Sequence, residues 1–501
     1  MSRFPDRLER LVLGVAESRP AAPAVVGHSG AVWSYADLVS RAEAVATGLT
    51  ECGVRPGTAV LVAVSNEPGD FAAQLGVWLC GAVAVPVHRS SPVPVVTDVA
   101  TRTAACALVD EHCGDWFRAG GVNVSKHGIR SLPVAGTRPA DLDEDQALVI
   151  FTSGSTGRPK GVVLSHRVFC AKLEAINSVL AFPPSTSLLH VLHLHFSFGQ
   201  WTSLLTLATG GVIHLVPRFT VPGMIDALTR FEIDRTAVVP TMLRKLLAEA
   251  DEAALFRLRE AGVPRLWIVG GEPLAEGLGL RLRELLPRTQ ITDVFGLSET
   301  STSDFIVPPD RYDEFAGSIG FPSPGVTARV VGEDGLEMPG GEVGELWIRT
   351  PYRMTGYLAD RASTAAATVG EWFRTGDLAR RGGDGRFLLT GRAKNLISRG
   401  GAKVSPLEIE SIYTGHPGCA AAVATGVPDD LLGERIVLLV TLRPDAQVAG
   451  AALREWGRQR LDRFKVPDEV YIVDELPLGP TGKVDRMGVQ QLACERVSER
   501  A

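Results

Sequence analysis

No run of eighteen or more apolar residues occurs in this 501-residue chain, so a membrane-spanning helix is not expected. The first residues, Met1-Ser-Arg-Phe-Pro-Asp6, lack the long apolar core and small-residue cleavage site of a secretory signal, which leads to the expectation of a cytoplasmic protein. Cysteine is sparse. Seven are scattered along the chain (Cys52, Cys80, Cys106, Cys113, Cys170, Cys419 and Cys494), odd in number and free of Cys-x-x-Cys spacing, which argues against both a disulfide framework and a structural zinc site. No clustered basic run is present, and a net charge of −6 over this length gives no case for nucleic acid or a membrane surface. No internal repeat or low-complexity tract stands out. What is there is an ordinary globular composition, 45% apolar and 22% charged, so small-molecule chemistry is the expectation. The length exceeds what one hydrophobic core supports, and two or more domains follow.

The stretch Phe151-Thr-Ser-Gly-Ser-Thr-Gly-Arg-Pro-Lys160-Gly161 lies between two apolar runs of strand type, Ala147–Phe151 and Gly161–Leu164, and therefore reads as a loop. Glycines let backbone N–H groups turn toward phosphate oxygens, hydroxyls add donors, and Lys160 or Arg158 supplies positive charge. The pattern points to a triphosphate. It is not a Walker A loop, because Lys160 is followed by Gly161 rather than Ser or Thr. A plain Ser/Gly/Pro connector is the competing reading.

From the start to about residue 330, strand-like runs alternate with helical patterns, as in layered α/β architecture. The strand candidates are Ala59–Val64, Ala82–Pro86, Thr236–Val239, Arg265–Val269 and Thr292–Phe295. Ser165 reads as the N-cap of a helix starting at His166, and Leu274 as the opening of a helix toward Leu286. Between about 325 and 391, Gly-rich turns such as Glu333-Asp-Gly335 and Gly382-Gly-Asp-Gly385 separate short strand-like runs, which predicts a β-rich subdomain. After Arg392 a compact α+β tail of about a hundred residues follows. The expected organisation is an α/β protein with a large multi-sheet N-terminal domain (1–391) and a small mobile C-terminal domain (392–501).

Further segments fall in order behind the loop: Val269-Gly-Gly-Glu-Pro-Leu274, Phe295-Gly-Leu-Ser-Glu-Thr300, Gly344-Glu-Leu-Trp-Ile-Arg349, Trp372-Phe-Arg-Thr-Gly-Asp377, Gly391-Arg392 and Pro480-Thr-Gly-Lys-Val-Asp-Arg486. Together they resemble the adenylate-forming superfamily of acyl-CoA synthetases, peptide-synthetase adenylation domains and beetle luciferases, most like a stand-alone acyl- or aryl-CoA ligase, over residues 10 to 490. The resemblance implies that a carboxylate attacks the α-phosphorus of ATP, giving acyl-AMP and pyrophosphate, and that a thiol then displaces AMP. It implies ATP, Mg²⁺ and CoA, or a carrier-protein phosphopantetheine arm in place of CoA. Lys483 matches the catalytic lysine and Glu299 the metal-associated glutamate, with Thr156 also near the metal and Thr300 and His195 in the catalytic set. Nucleotide contacts carry over to Thr152, Ser153, Gly154, Ser155, Thr156, Gly157, Lys160, Gly271, Glu272, Pro273, Asp293, Phe295, Gly296, Leu297 and Ser298. Asp377 would accept from the ribose hydroxyls, Arg392 would add a charged contact, and Lys394 matches the hinge of the small domain. Each has a plainer reading: a solvated charge for Lys483 and Lys394, a loop carboxylate for Glu299, a turn for Asp377, a surface ion pair for Arg392.

By the same resemblance the wall of the acid pocket falls on Leu192–Trp201, where His195 is similar to an aromatic gate. The pocket residues would be His195, Phe196, Ser197, Trp201, Gly270, Gly271 and Ser303. Alternation would send His193 and His195 to one face of a strand, but no third ligand is apparent nearby and zinc is rejected. Amino-acid-activating relatives place an aspartate near Phe196-Ser197. From Pro183 to Phe231 this chain has no acidic residue except Asp226, so the expected partner is a plain carboxylic acid, aromatic or medium aliphatic, rather than an α-amino acid. Departures from the family pattern are Phe295 for tyrosine, Thr350 for glycine, Ser398 for lysine, and Gly479 before Pro480. They leave the acceptor open between CoA and a carrier protein. A noncatalytic adenylate- or acyl-binding protein and a luciferase-like oxygenation are the competing functions.

Overall fold

The computed structural model describes residues 4–110, 129–132, 142–152, 159–443, 446–479 and 483–499. Four sheets organise the chain. A seven-stranded sheet has the order Gly356–Tyr357, Lys160–Ser165, Gln146–Thr152, Val83–His88, Ala59–Val64, Ala107–Val109, Ile129–Ser131. A nine-stranded sheet has the order Phe321–Pro322, Phe305–Ile306, Gln290–Phe295, Leu266–Gly270, Arg235–Val238, Ser187–His190, Val212–Leu215, Pro23–Val26, Val32–Ser34. The six strands from Gln290–Phe295 to Pro23–Val26 are mutually parallel. Parallel strands are covered on both faces and read as continuous apolar runs, which is why Ala59–Val64 is buried at every position.

Helices Leu8–Ser18, Tyr35–Glu51, Pro68–Leu79, His166–Leu180 and Ser197–Thr209 contribute to one continuous core with both sheets. Pro68–Leu79 is buried along almost its whole length, and Gly76 lets it approach Tyr35–Glu51: a Cβ there would stand 2.7 Å from the Ala42 carbonyl oxygen. The helix at His166 starts as its sequence predicts, with the Ser165 hydroxyl accepting from the Val168 amide. The helix expected from Leu274 begins at Glu276 instead, because Ala275 is the extended N-cap and Gly271–Leu274 is irregular.

The third sheet is built from Thr327–Val331, Gly344–Arg349, Trp372–Arg381, Thr368–Val369 and Phe387–Arg392, all antiparallel. The β-rich stretch is not continuous. Gly356–Tyr357 leaves it to pair with Val162–Val163 of the seven-stranded sheet, which carries Tyr357 into the loop region. The fourth sheet, with Ile397–Arg399, Ala402–Val404, Cys419–Asp429, Gly433–Leu442 and Glu469–Ile472, has its own core around Ile409, Tyr413, Ile436 and Leu438. No helix among the described residues is long and apolar enough to cross a membrane.

Candidate active site

Ligands of open α/β sheets bind beyond the carboxyl ends of parallel strands. Here Ser187–His190, Leu266–Gly270 and Gln290–Phe295 end together, and the segments singled out above follow them directly. Of the expected phosphate loop, Ser153, Gly154, Ser155, Thr156, Gly157 and Arg158 lie outside the described residues. Its two ends are defined: Thr152 pairs with Lys160 across antiparallel strands. The Lys160 ammonium lies 3.0 Å from the Ser363 hydroxyl and 4.6 Å from the centre of the Tyr357 ring. The Tyr357 hydroxyl donates to Glu299 Oε1 at 2.8 Å, so phosphate-loop strand and acidic loop meet through a residue that no motif had marked.

Glu299 sits in a single 3₁₀ turn, Ser298–Thr300, followed by three consecutive residues in the left-handed region: Ser301, Thr302 and Ser303, with φ of 56°, 70° and 46°. Such a conformation costs a non-glycine residue roughly 1–2 kcal/mol, so the neighbours must hold it. Part of the hold is steric, because Gly296 brings its Cα so close that a Cβ would stand 2.1 Å from the Ser303 amide nitrogen. Upstream, Asp293 and Phe295 share one face of their strand. Asp293 is buried, and burial pushes its carboxyl well above the usual range. Phe295 stands 5.9 Å from the Phe305 ring centre, edging the core of the third sheet.

Lys483 arrives from the far end of the chain. Its Nζ stands 3.1 Å from the point a Cβ on Gly271 would occupy, and Gly271 has a left-handed φ of 82°. Burial and the nearby Arg392 charge push the Lys483 ammonium below its ordinary pKa, while the Glu272 charge opposes them. Glu272 is fixed by Arg244 Nη2 at 3.0 Å and by the Thr241 hydroxyl; Pro273, beside it, is exposed. Asp377 and Arg392 face each other on adjacent strands, with Arg392 Nε donating to Oδ1 at 2.5 Å and Nη2 to Oδ2 at 3.1 Å. The expected ribose acceptor is therefore already engaged by the expected charged contact. Lys394 follows in a 3₁₀ turn, its ammonium lowered first by burial and then by Arg392.

The segment Leu192–Trp201 departs from the strand expectation for His193 and His195. The strand ends at His190, and a turn closed by the Phe196 amide donating to the His193 carbonyl leads into helix Ser197–Thr209. The two rings still approach to 5.6 Å between centres, and His88, from the other large sheet, lies 4.4 Å from His193 and 5.2 Å from His195. Burial pushes His195 down to about 2, His193 to about 4 and His190 to about 3, with the neighbouring imidazoles adding to it. Depressed values mean neutral rings throughout the physiological range. On NMR titration the ring resonances of His190, His193 and His195 are expected to stay in their neutral form down to about pH 5; an inflection near 6.5 in any of them would refute this environment.

The rest of the pocket set divides by depth. Phe196 packs on His195 at 3.7 Å between centres, and Ser197 Oγ lies 3.0 Å from Ser298 Oγ, joining the pocket wall to the nucleotide loop. Gly270 has no room for a side chain, since a Cβ would stand 2.5 Å from the Val294 carbonyl oxygen. Trp201 is wholly buried between Phe182 and Phe198, so it backs the wall from the core side rather than lining an open surface. Ser303 is also buried, its hydroxyl without a hydrogen-bond partner among the described residues.

A tail lysine, an acidic loop and a carboxylate–guanidinium pair thus converge beyond the carboxyl ends of one parallel sheet, the arrangement expected of an acid-activating, nucleotide-dependent enzyme with a small C-terminal domain. The comparisons with known proteins narrow this. The AMP-binding enzyme family matches residues 14–358 and the AMP-binding enzyme C-terminal domain matches residues 408–483, so the chain belongs to the AMP-binding enzymes. A feruloyl-CoA synthase of an Amycolatopsis species is 30% identical over 92% of this chain and 94% of its own length. A medium/long-chain-fatty-acid–[acyl-carrier-protein] ligase of Mycobacterium tuberculosis is 30% identical over 98% of this chain and 96% of its own. The crystal structure of ATP-bound MatB from Rhodopseudomonas palustris superposes with a TM-score of 0.86 at 26% identity, covering 98% of this chain and 99% of that one. The protein is an acid–thiol ligase: it activates a carboxylic acid by adenylation and passes the acyl group to a thiol.

Proposed function

We propose that the protein uses Mg²⁺ and ATP to adenylate an aromatic or medium aliphatic carboxylic acid, and that CoA is the thiol acceptor. One observation carries the assignment of the site. A continuous relay of contacts and charge runs from Lys160 through Tyr357 to Glu299, from Glu299 to Arg392 and Asp377, and on to Lys483 over Gly271. Phosphoryl chemistry is mainly positioning and charge stabilisation, and this relay supplies both signs where each is needed.

In this reading Lys483 steadies charge at the α-phosphorus as the carboxylate attacks, and Lys160 with the Thr152–Gly157 segment holds the outer phosphates. Asp377 turns its carboxylate to the ribose hydroxyls, Arg392 holding it in place. Asp293, Phe295, Gly296, Leu297 and Ser298 with Gly271, Glu272 and Pro273 surround the base and sugar. Thr156 adds a hydroxyl beside the phosphates; Thr300, expected in the catalytic set, is instead buried with its hydroxyl donating to Asp304, so it supports the loop rather than reaching the nucleotide. Among the described residues no group of three or more His, Cys, Asp and Glu is arranged to hold a metal ion. That suits Mg²⁺, which binds through one or two carboxylates plus substrate phosphates, and Glu299 is the carboxylate available. When bound, the ion neutralises phosphate charge. The tail beyond Arg392 then turns about Lys394, withdrawing Lys483 so that the thiol can enter, since one lysine cannot serve both geometries.

The neutral imidazoles with Phe196 and Phe198 make an uncharged wall, which suits an acid with an uncharged body; His195 serves there as a wall and gate, not as a cation. Likeness to the feruloyl-CoA synthase supports an aryl acid. A carrier-protein arm is the second reading for the acceptor, favoured by the similarity to the mycobacterial ligase. Acid-dependent exchange of labelled pyrophosphate into ATP, run over a panel of aryl and alkyl acids, tests the first step, and adding CoA or a charged-arm carrier protein tests the second. No exchange with any acid would overturn the proposal. Tyr357→Phe, which removes the donor on Glu299 and keeps the ring under Lys160, is expected to slow exchange about tenfold, the worth of one hydrogen bond to a charged group; an unchanged rate would remove Tyr357 from the site.

A further inference from the structure

Lys172, on helix His166–Leu180, is a lysine with 1% exposure and plays no part in the relay above. Its ammonium donates to Asp304 Oδ1 at 3.1 Å and to the Ser323 hydroxyl at 3.2 Å, and it lies 5.0 Å from the centre of the Tyr352 ring. Asp304 is itself completely buried, and its other oxygen, Oδ2, accepts a hydrogen bond from the Thr300 hydroxyl. A buried ion pair is weak evidence of stabilisation, because apolar residues of similar volume often do as well in such a place. What the pair does hold is the turn that carries Glu299. Asp304 closes the left-handed run Ser301–Ser303, Thr300 opens it, and the bond between their side chains spans it. On the outer side the Ser301 hydroxyl donates to the carbonyl oxygen of Tyr352, the residue whose ring faces Lys172.

We propose that Lys172 and Asp304 are positioning residues for adenylation: a buried ion pair that fixes the Thr300 side chain and the left-handed turn, and so aims the Glu299 carboxylate at the metal–phosphate group. The inference rests on the function proposed above. Lys172 fixes Asp304 through Oδ1, Asp304 Oδ2 accepts from the Thr300 hydroxyl, and that bond spans and holds the strained turn of the three residues after it. Glu299 is neighbour to that fixed point, with its own backbone carbonyl tied by the Met354 amide at 2.8 Å.

Two double variants separate positioning from folding. Lys172→Met/Asp304→Leu removes both charges and the side-chain acceptor of Thr300, leaving it only the Leu297 carbonyl at 3.2 Å, whereas Lys172→Met/Asp304→Asn removes the charges and leaves a side-chain oxygen for Thr300. The readouts are the Mg²⁺ dependence of ATP binding by calorimetry and the half-saturating Mg²⁺ in pyrophosphate exchange. The leucine pair is expected to fold and to need at least about tenfold more Mg²⁺, the loss of a hydrogen bond to a charged acceptor, with the KM for the acid unchanged, while the asparagine pair recovers most of the difference. A folded leucine pair with wild-type Mg²⁺ dependence overturns the proposal, as does an asparagine pair no better than the leucine pair. If neither pair folds, Thr300→Val decides: a raised Mg²⁺ requirement supports the strut and an unchanged one refutes it. Wild-type protein that neither binds ATP nor exchanges pyrophosphate would instead sink the functional reading itself.

Discussion

Lys483→Ala is expected to reduce acid-dependent pyrophosphate exchange by at least about 10²–10³-fold, the usual cost of removing one preorganised group from a developing charge. The lysine stands over Gly271, and Glu272, Arg392 and burial all act on its ammonium. Its side chain is partly exposed and lies in none of the hydrophobic clusters, so its removal should open no cavity and the melting temperature should move little. A second measurement makes the result specific. Supplied with a presynthesised acyl-adenylate, the variant should still transfer the acyl group to the thiol at close to the wild-type rate, because the lysine has to be withdrawn for that step. Exchange at the wild-type rate with an unchanged melting profile would refute the assignment; equal loss of both half-reactions would refute the turning tail.

How far these groups could be read from the chain depended on how local their signals are. The strand Ala59–Val64 was legible because buried parallel strands need apolar runs, whereas of Gln290–Phe295, broken by Thr292 and Asp293, only Thr292–Phe295 was legible; Lys483, Glu299 and Asp377 stood out because each sits in a short, restrictive motif. Tyr357 was not. Its partner Glu299 is 58 residues away, and it arrives only because a two-residue strand leaves its own sheet to join another. Lys172 and Asp304 are 132 residues apart, and a lone lysine in an amphipathic helix reads as a surface charge until the fold buries it. The left-handed run was equally hidden, since serine and threonine do not announce that conformation as glycine or asparagine would. Helical and strand periods also mislead where a chain turns: alternation at Leu192–Phe196 resembles a strand, yet the residues close a turn and bring three imidazoles together from two sheets.

Glu299→Gln is the sharper test of the acidic loop, because it changes charge and almost nothing else. The substituted amide keeps an oxygen that can accept from the Tyr357 hydroxyl, now at 2.8 Å from the carboxylate, so the link to the Lys160 strand survives. The three left-handed residues and the Thr300–Asp304 bond lie on the other side of the substitution and are untouched. Lost is the negative charge that attracts a hard divalent cation and that also bears on Arg392. The exchange rate at saturating acid is therefore expected to fall about 10²-fold or more, as for loss of a group that acts mainly in the transition state, with the half-saturating Mg²⁺ rising in parallel. The KM for the acid should be unchanged, since the acid pocket is walled by His195, Phe196 and Phe198 rather than by this carboxylate. Excess Mg²⁺ should restore part of the rate in Glu299→Gln and none in Lys483→Ala, because only the first variant has lost a metal ligand. Restoration of both by Mg²⁺, or of neither, would mean that the two charges do not divide the work between ion and phosphorus in this way.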